Sequence, residues 1–312
     1  MPQRARRGQG SVAAGTRGPA RRRGWLTAYT FVAPVLVLTF LFSVLPLIMV
    51  FRRSFYTGNI FDTNLRFAGL YNYRNVFATG GGHALAVTAG FTVGFVAVCM
   101  IAGLAIALLL DVRLPGLRQV RAFFVIPLVV PAVATAFIWF TLFQPGTGLV
   151  NRVLLAVGLP EVSLSTPRVA LAAVIAFGAW QFFGEAVLLY LAALKSLPGE
   201  VIEAAHVDGA GAWQRLTRIR LPLLWHQTGL IAVVATLTGL QTFTQIYILT
   251  GGGPDGATQT ALYYIYQQAF GLGASGSVGT ADAMAVILFF ISLTVTMSQL
   301  ALVRRAAYSE VK

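Results

Sequence analysis

Residues Glu203–Pro222 read EAAHVDGAGAWQRLTRIRLP, a polar stretch in a chain that is otherwise very apolar. Two hydrophobic runs flank it, 169–194 and 225–250, and each exceeds the ~20 residues that a membrane-spanning helix needs. Of the 312 residues, 57% are hydrophobic and only 11% are charged, whereas about 25% charged is usual for a soluble domain. The sequence therefore predicts an integral membrane protein in which Glu203–Pro222 forms a connection at the membrane surface.

The hydrophobic runs predict an all-α membrane protein with six transmembrane helices. The predicted spans are about 28–50, 85–110, 122–143, 169–194, 225–250 and 283–303. Only the fourth span contains a charged residue, Glu185. The first run is longer than the apolar region of a signal peptide and no cleavage site stands out after it, so we interpret it as a retained helix.

The distribution of Lys and Arg orients the chain, because cytoplasmic segments are enriched in both. The N-terminal tail, the second and fourth connections and the C-terminal tail lie on one side and carry most of the 23 basic residues. The opposite side carries only Arg52, Arg53, Arg66, Arg74, Arg152 and Arg168. Both termini and the Glu203–Pro222 connection, between helices 4 and 5, are therefore predicted to be cytoplasmic. The expected location is the inner (cytoplasmic) cell membrane, crossed several times.

The remaining composition excludes other classes. Residues 1–24 are rich in Arg, Gly and Ala and predict a disordered basic cytoplasmic tail, so the transmembrane domain is predicted to be 25–312. The net charge of +13 does not indicate a nucleic-acid partner, because no basic face with interleaved aromatics is present. The run Gly251-Gly252-Gly253-Pro254 lacks the Gly-Lys-Ser/Thr of a phosphate-binding loop. The loop that contains it, 251–279, is predicted to be an outside loop without a soluble domain.

Within the connection, residues 196–222 predict a helix, a turn and a second short helix. Ser196 is placed to cap the first helix and Pro198 is tolerated in its first turn. Gly209 ends this helix or permits a sharp turn. Without further information, the segment is equally compatible with an ordinary interfacial loop.

The spacing of the connection resembles the EAA loop of binding-protein-dependent ABC importer permeases. That pattern is Glu-Ala-Ala, three residues, Gly, nine residues, Ile, one residue, Leu-Pro. The chain matches it at Glu203, Ala204, Ala205, Gly209, Ile219, Leu221 and Pro222, and Asp208 before the glycine is typical of the carbohydrate branch, the relatives of the maltose permease subunits. The runs Phe67–Tyr73 and Leu249–Pro254 also resemble that branch, whereas Thr244 departs from it, since many relatives carry Asp there.

The resemblance implies a permease subunit of an ATP-driven importer for a sugar or sugar-like solute, and not an enzyme. Its implied partners are a second homologous permease, two ATP-hydrolysing subunits, an extracytoplasmic solute-binding protein and the lipid bilayer. No cofactor is expected on this chain, since ATP and Mg would be bound by the ATPase. The residues Glu203, Ala204, Ala205, Asp208, Gly209, Ile219, Leu221 and Pro222 are then implied to couple the permease to that ATPase.

Polar residues in the fourth and fifth spans are candidates for the substrate cavity. A charge in mid-membrane costs about 2.5–3.5 kcal/mol, so Glu185 is expected to face the protein interior, and Gln181 lies one turn away. Thr238, Gln241 and Gln245 form a polar stripe in the fifth span, with Thr244 beside them. Glutamines in such stripes also serve as hydrogen-bonding contacts between helices, so this alternative stays open.

Two other functions are compatible with parts of the sequence. A self-contained secondary transporter would use Glu185 as an ion or proton carrier, although only this one central acid is present. A membrane enzyme would need a cluster of acids or histidines at an interface, and the sequence has none.

Overall fold

The computed structural model describes residues 20–58, 65–111, 117–271 and 277–309, and within these ranges the chain is mostly helical. The α-helices are α1 (Ala20–Thr39), α2 (Leu45–Arg53), α3 (Tyr71–Ala78), α4 (Gly81–Leu110), α5 (Leu117–Val129), α6 (Ala132–Leu142), α7 (Leu149–Ala156), α8 (Pro167–Lys195), α9 (Gly199–Val207), α10 (Ala212–Arg215), α11 (Leu221–Leu223), α12 (Trp225–Leu240), α13 (Ala261–Phe270) and α14 (Val278–Ser309). Three π-helical turns occupy Phe40–Val44, Leu216–Arg220 and Ile246–Thr250. Strands β1 (Tyr56–Thr57) and β2 (Arg66–Phe67) pair antiparallel, with Tyr56 opposite Phe67.

The chain divides into two units, residues 1–49 and 50–312. The described part of the first unit is one apolar helical segment, with the π-helical turn Phe40–Val44 between α1 and α2. Of the predicted basic tail, residues 1–19 lie outside the described residues, and α1 begins at Ala20, within that tail. The second unit contains the packed helices and all the predicted site residues.

Four described helices are long and apolar enough to cross a membrane: Tyr29–Arg53, Gly81–Leu110, Pro167–Lys195 and Val278–Arg305. Two bent helix pairs meet the same criteria, so the described residues contain four to six candidate spans. The chain is therefore a multi-pass membrane protein.

The predicted third span, 122–143, is broken rather than kinked. Helices α5 and α6 meet at 110°. Pro131, which precedes α6, has an extended backbone (φ −58°, ψ 127°), and without an N–H it cannot continue the hydrogen bonding of α5. Pro127 lies within α5 and does not end it.

The predicted fifth span, 225–250, is also interrupted. Helix α12 ends at Leu240, and a short non-helical stretch, 241–243, separates it from the residues that lead into the π-helical turn Ile246–Thr250. The Thr242 carbonyl in this stretch accepts a buried hydrogen bond from the Thr260 hydroxyl at 3.2 Å. The Thr260 side chain thus satisfies the Thr242 carbonyl, which would bond within the helix if the predicted span were continuous.

The loops that are predicted to lie outside hold more structure than the sequence predicts. Helix α13 occupies the middle of the predicted Gly-rich loop 251–279, and α7 and α3 lie in two other connections. Helix α13 is fixed at its first turn, where the Ala261 N–H donates to the Thr88 hydroxyl of α4 at 2.7 Å. On the same helix, the Tyr264 hydroxyl lies 2.6 Å from that of Thr79, and burial raises the pKa of Tyr264.

The start of α14 is tied to the first connection by polar contacts. The Asn75 amide of α3 donates to the Thr280 hydroxyl of α14 at 2.9 Å. Asp282 in the first turns of α14 forms an ion pair with Arg53 at 3.2 Å. This pairing also explains why Arg53 can stand against the general charge bias.

Small residues allow the spans to approach closely. A Cβ on Gly103 of α4 would lie 2.9 Å from Ala186 of α8, and one on Gly239 of α12 would lie 3.0 Å from Thr92 of α4. At Gly184 of α8, a Cβ would overlap the Phe124 carbonyl oxygen of α5. These crossings are typical of membrane helices, whose interfaces are enriched in small residues.

We expect Gly184→Ala to destabilise the protein by about 1–3 kcal/mol, the usual cost of overpacking a tight contact. The neighbour is a backbone oxygen, which cannot move aside without shifting α5. Thermal unfolding of the purified protein in detergent measures the effect. Gly90→Ala in α4 is the matched control, because nothing lies within 4 Å of the added methyl. Equal melting temperatures for the two variants would contradict the tight crossing.

Candidate functional site: a polar cavity and an exposed turn

A cavity of about 320 Å³ lies between α4, α8 and the interrupted fifth span, with Leu128 and Ala132 beside it. The structure brings all the predicted cavity residues into its lining: Gln181, Glu185, Thr238, Gln241, Thr244 and Gln245. The fourth-span pair and the fifth-span stripe therefore face each other across one space. A cavity of this size with convergent polar groups is suited to a small polar ligand.

Glu185 is the only charged residue among the described residues that line this cavity. It is half-buried on α8, one turn from Gln181. No hydrogen bond or ion pair within the described part of the chain engages its carboxylate. The remaining polar lining consists of amides and hydroxyls, which donate and accept hydrogen bonds without charge.

The polar residues of the fifth span come from the end of α12 and the stretch that follows it. Gln241 caps α12 and is exposed to the cavity. The Gln245 amide donates to the hydroxyl of Thr242, which is buried. Thr238 is bonded to its own helix, through the Val234 carbonyl at 3.0 Å. Helical spacing places Gln241 and Gln245 one turn apart, whereas here non-helical backbone separates them.

Four aromatic residues complete the cavity wall, and none of them is among the predicted site residues. Phe91, Phe95, Phe182 and Phe243 line it. Gly178 leaves room for two of these rings and for Gln245, since a Cβ there would lie 3.3–3.4 Å from each. A pattern of single aromatic residues in apolar helices gives no signal that separates cavity walls from core.

Gln299 in the last span has a different role from the glutamines of the cavity. The Gln299 amide of α14 donates to the Thr236 hydroxyl of α12 at 2.9 Å. This bond joins two helices, and Gln299 lies outside the cavity lining. For this residue the helix-contact alternative holds.

The connection after α8 forms a compact, exposed helix and turn. Glu203 and Ala204 are exposed on α9, and Ala205 is buried. Asp208 caps the helix, and Gly209 follows with φ +77°. The Ala210 N–H bonds to the Ala205 carbonyl at 3.0 Å, and the Gly209 N–H to the His206 carbonyl at 3.2 Å. This is a Schellman motif, in which glycine takes the left-handed position.

Side chains from the next helix brace the turn. The Arg215 guanidinium donates to the Ala210 carbonyl at 2.7 Å and lies 2.8 Å from Nδ1 of His206. The Gln214 carbonyl oxygen accepts a bond from the Gly211 N–H at 3.0 Å. Arg215 is not among the predicted site residues, although an Arg that bonds carbonyls at the end of a helix is a recognised C-terminal signal.

The second half of the connection is partly buried. Ile219 lies in the π-helical turn, and Leu221 and Pro222 form α11. Arg220 forms an ion pair with Asp111 at the end of α4, at 3.4 Å. Ser196 does not cap α9 as expected, because its hydroxyl donates to the Ala193 carbonyl of α8 and Pro198 takes the N-cap position.

Helix α12 links the two sites. It follows α11 after a bend of 63° and ends at the cavity with Gln241. Its 16 residues span about 24 Å at ~1.5 Å per residue. The connection that contains the exposed turn thus precedes α12, and the polar cavity lies at the other end of this helix.

Comparisons with known proteins identify the family and the fold. Residues 100–308 match the family described as "Binding-protein-dependent transport system inner membrane component". The chain is 33% identical to the trehalose/maltose transport system permease protein MalF of Thermococcus litoralis, over 86% of this chain and 90% of that protein. It is 32% identical to the sn-glycerol-3-phosphate transport system permease protein UgpA of Salmonella typhimurium, over 90% and 95%. A bacterial alginate ABC transporter, solved in complex with an alginate pentasaccharide-bound periplasmic protein, shares the fold, with a TM-score of 0.77, 23% identity and coverage of 91% and 96%.

Proposed function

This chain belongs to the family of binding-protein-dependent transport system inner membrane components, and from that premise we propose how it is driven and what it carries. It is a transport subunit and not an enzyme, a permease of an ABC importer whose curated relatives carry sugars and sugar-like solutes. We propose that its solute is a neutral saccharide held in the cavity beside Glu185.

The proposed topology has six spans: the four long helices, the bent pair of α5 and α6, and the fifth span, which consists of α12 and the residues that follow it to 250. Residues 25–312 would constitute the transmembrane domain, with both termini and the Gly209 turn on the cytoplasmic side of the cell membrane. The excess of Lys and Arg on that side supports the orientation. The Arg220–Asp111 pair also supports it, because it holds the connection beside the end of α4 that faces the same side.

In the proposed assembly, this subunit pairs with a second permease, two ATP-hydrolysing subunits and an extracytoplasmic solute-binding protein. ATP and Mg are bound by the ATPase. Helix α9 and the Gly209 turn dock on the ATPase, where exposed Glu203 offers a charge and Ala204 permits close approach. The observation that carries the proposal is that α12 follows this connection, after α10, the π-helical turn and α11, and ends at Gln241 in the cavity lining, so a displacement of the turn can reach the cavity along consecutive helices.

The charge of the cavity favours a neutral solute. The described lining offers amides, hydroxyls and a single carboxylate, and it offers no Lys or Arg. An anionic solute such as a sugar phosphate would meet the Glu185 charge without a cation to balance it, in surroundings where unpaired charges are costly. A polyhydroxylated neutral solute can donate hydrogen bonds to the carboxylate and exchange others with the amides.

The alternative of a self-contained secondary transporter is not favoured. Family membership ties the chain to a binding-protein-dependent system, and no second acid accompanies Glu185 in the described cavity lining.

Reconstitution tests the proposal. We expect uptake of trehalose or maltose into proteoliposomes only when both permeases, the ATPase, ATP and the sugar-loaded binding protein are present. Uptake of sn-glycerol 3-phosphate should be at least about tenfold slower, the effect of ~1.4 kcal/mol of unfavourable charge. Uptake driven by a proton gradient through this chain alone would overturn the coupling, and preferred uptake of the phosphate would overturn the neutral solute.

A further inference from the structure

Four aromatic side chains form a continuous row that begins at the cavity. We call Phe243, Tyr247, Tyr266 and Phe270 the aromatic row. Phe243 lines the cavity and stacks on Tyr247, with centroids 5.5 Å apart and an interplanar angle of 15°. Tyr266 contacts both of these rings at 5.2 Å, and Phe270 contacts Tyr266 at 5.4 Å.

Two members of the row are exposed, and the other two, Phe243 and Tyr266, are partly buried against the core. Tyr247 is 47% exposed and Phe270 is 61% exposed, whereas Phe91, Phe95 and other core rings are buried. The row leads from the cavity onto α13, which lies between the end of the fifth span and the start of α14. In the proposed topology this is the extracytoplasmic side, from which the solute arrives.

Helix α13 holds the outer part of the row rigidly. Its opposite face is anchored by the Tyr264–Thr79 contact, and its first turn by the bonds of Thr260 and Ala261. Tyr263 supports the row from beneath, with ring centroids 6.3 Å from those of Phe243 and Tyr266. Rigid aromatic side chains bind ligands at a low cost in conformational entropy.

The chemistry of the row matches that of a neutral saccharide. The ring faces are apolar and slightly negative, so they attract the C–H groups on the face of a sugar ring. The row also carries polar groups: the neighbouring Tyr247 hydroxyl raises the pKa of Tyr266, and Gln267 on the same helix accepts a hydrogen bond from the Gln259 amide at 2.5 Å. Helix α13 contains no charged residue in its sequence ALYYIYQQAF.

We propose that the aromatic row is a second sugar-binding site, which receives a neutral saccharide released by the binding protein and passes it to the cavity. The inference rests on the proposed function, because it assumes a sugar as the solute. It goes beyond that function by assigning a second site, whose outer residues Tyr266 and Phe270 lie on α13 outside the spans and contact the solute before the cavity does.

The test uses the complete transporter in proteoliposomes, with trehalose, maltose and maltotriose as probes. Two quantities are measured together: sugar uptake and ATP hydrolysis stimulated by the loaded binding protein. For Tyr266→Leu and Phe270→Leu we expect uptake to fall about three- to tenfold, which corresponds to ~0.7–1.4 kcal/mol and lies within the range for one aromatic contact. ATP hydrolysis should change little, so the number of sugar molecules moved per ATP falls.

Two variants serve as controls. Tyr266→Phe keeps the ring and should keep the wild-type ratio of sugar to ATP within about twofold. Phe137→Leu on α6 removes a ring of similar exposure, 59% against 61% for Phe270, that is not part of the row, and should leave the ratio unchanged.

Each contrary outcome has a distinct meaning. If the wild-type transporter moves none of the three sugars, the proposed function itself is overturned. If the wild type moves them and both row variants behave like Phe137→Leu, the aromatic row is not a sugar site. If uptake and ATP hydrolysis fall together because the subunits no longer copurify, the row is a contact with the second permease, and the inference is overturned.

Discussion

Gly209→Val is expected to reduce ATP-dependent sugar uptake to below about a tenth of the wild-type rate, because loss of an interface anchor costs ~2 kcal/mol or more. Gly209 has φ +77°, a conformation that is strained for a β-branched residue. Valine would open the Schellman motif at the end of α9, and the Arg215 bond to the Ala210 carbonyl would be lost with it. The docking surface would then change shape while the spans remain intact.

The measurement is binding-protein-stimulated ATP hydrolysis together with uptake, in proteoliposomes with equal amounts of inserted permease. Gly211→Ala is the matched control, because Gly211 has an ordinary φ of −64° and its nearest neighbour would lie 3.9 Å from the added methyl. Glu203→Lys should also abolish coupling, by reversing an exposed charge that makes no bond within the described chain. Wild-type uptake in both Gly209→Val and Glu203→Lys would show that this segment does not dock on the ATPase.

The second large effect concerns the cavity. Glu185→Leu is expected to lower uptake of a neutral sugar by tenfold or more, since hydrogen bonds to a charged group contribute about 1.5–3 kcal/mol. The protein should still insert, because removing a charge from mid-membrane saves about 2.5–3.5 kcal/mol. Uptake by the reconstituted transporter at saturating binding protein measures the loss.

Glu185→Gln separates hydrogen bonding from ion carriage. Glutamine keeps the shape and most of the hydrogen-bonding capacity, so we expect uptake within about tenfold of the wild type. A proton carrier would lose all activity in the same variant. Gln299→Leu removes a polar contact outside the cavity and should reduce thermal stability without changing the choice of solute. Unaltered uptake in Glu185→Leu would exclude Glu185 from solute binding.

Much of this arrangement follows from local rules of sequence. The charge of Glu185 cannot face lipid, and its amide neighbour Gln181 shares its face, so the cavity side of α8 is determined by solvation alone. The turn at Gly209 is equally local, because a helix that ends with glycine commonly adopts a Schellman motif. The spacing of the EAA pattern then identifies the family without any tertiary information.

The features that escaped prediction depend on contacts between distant residues. Helix α12 ends at Leu240 within the fifth span, and the Thr242 carbonyl beyond it is satisfied by Thr260, eighteen residues after Thr242. Helix α13 exists where Gly-rich sequence predicts a loop because Thr88 and Thr79 of a distant segment anchor it. The position of Phe243 depends on the end of α12 and on α13, and hydrophobic periodicity predicts neither of them.

The Schellman turn at Gly209 closes almost entirely upon itself. Its bonds join Ala205, His206 and Ala210 with Arg215, all within about three helical turns of sequence. The cavity, in contrast, is assembled from α4, α8 and the interrupted fifth span. In the proposed assembly, the fit to the ATPase therefore depends on one short segment of sequence, while the preference for a solute depends on residues spread over the whole domain. This preference can diverge through many scattered substitutions without disturbing that segment, so one type of ATPase can serve permeases that import different sugars.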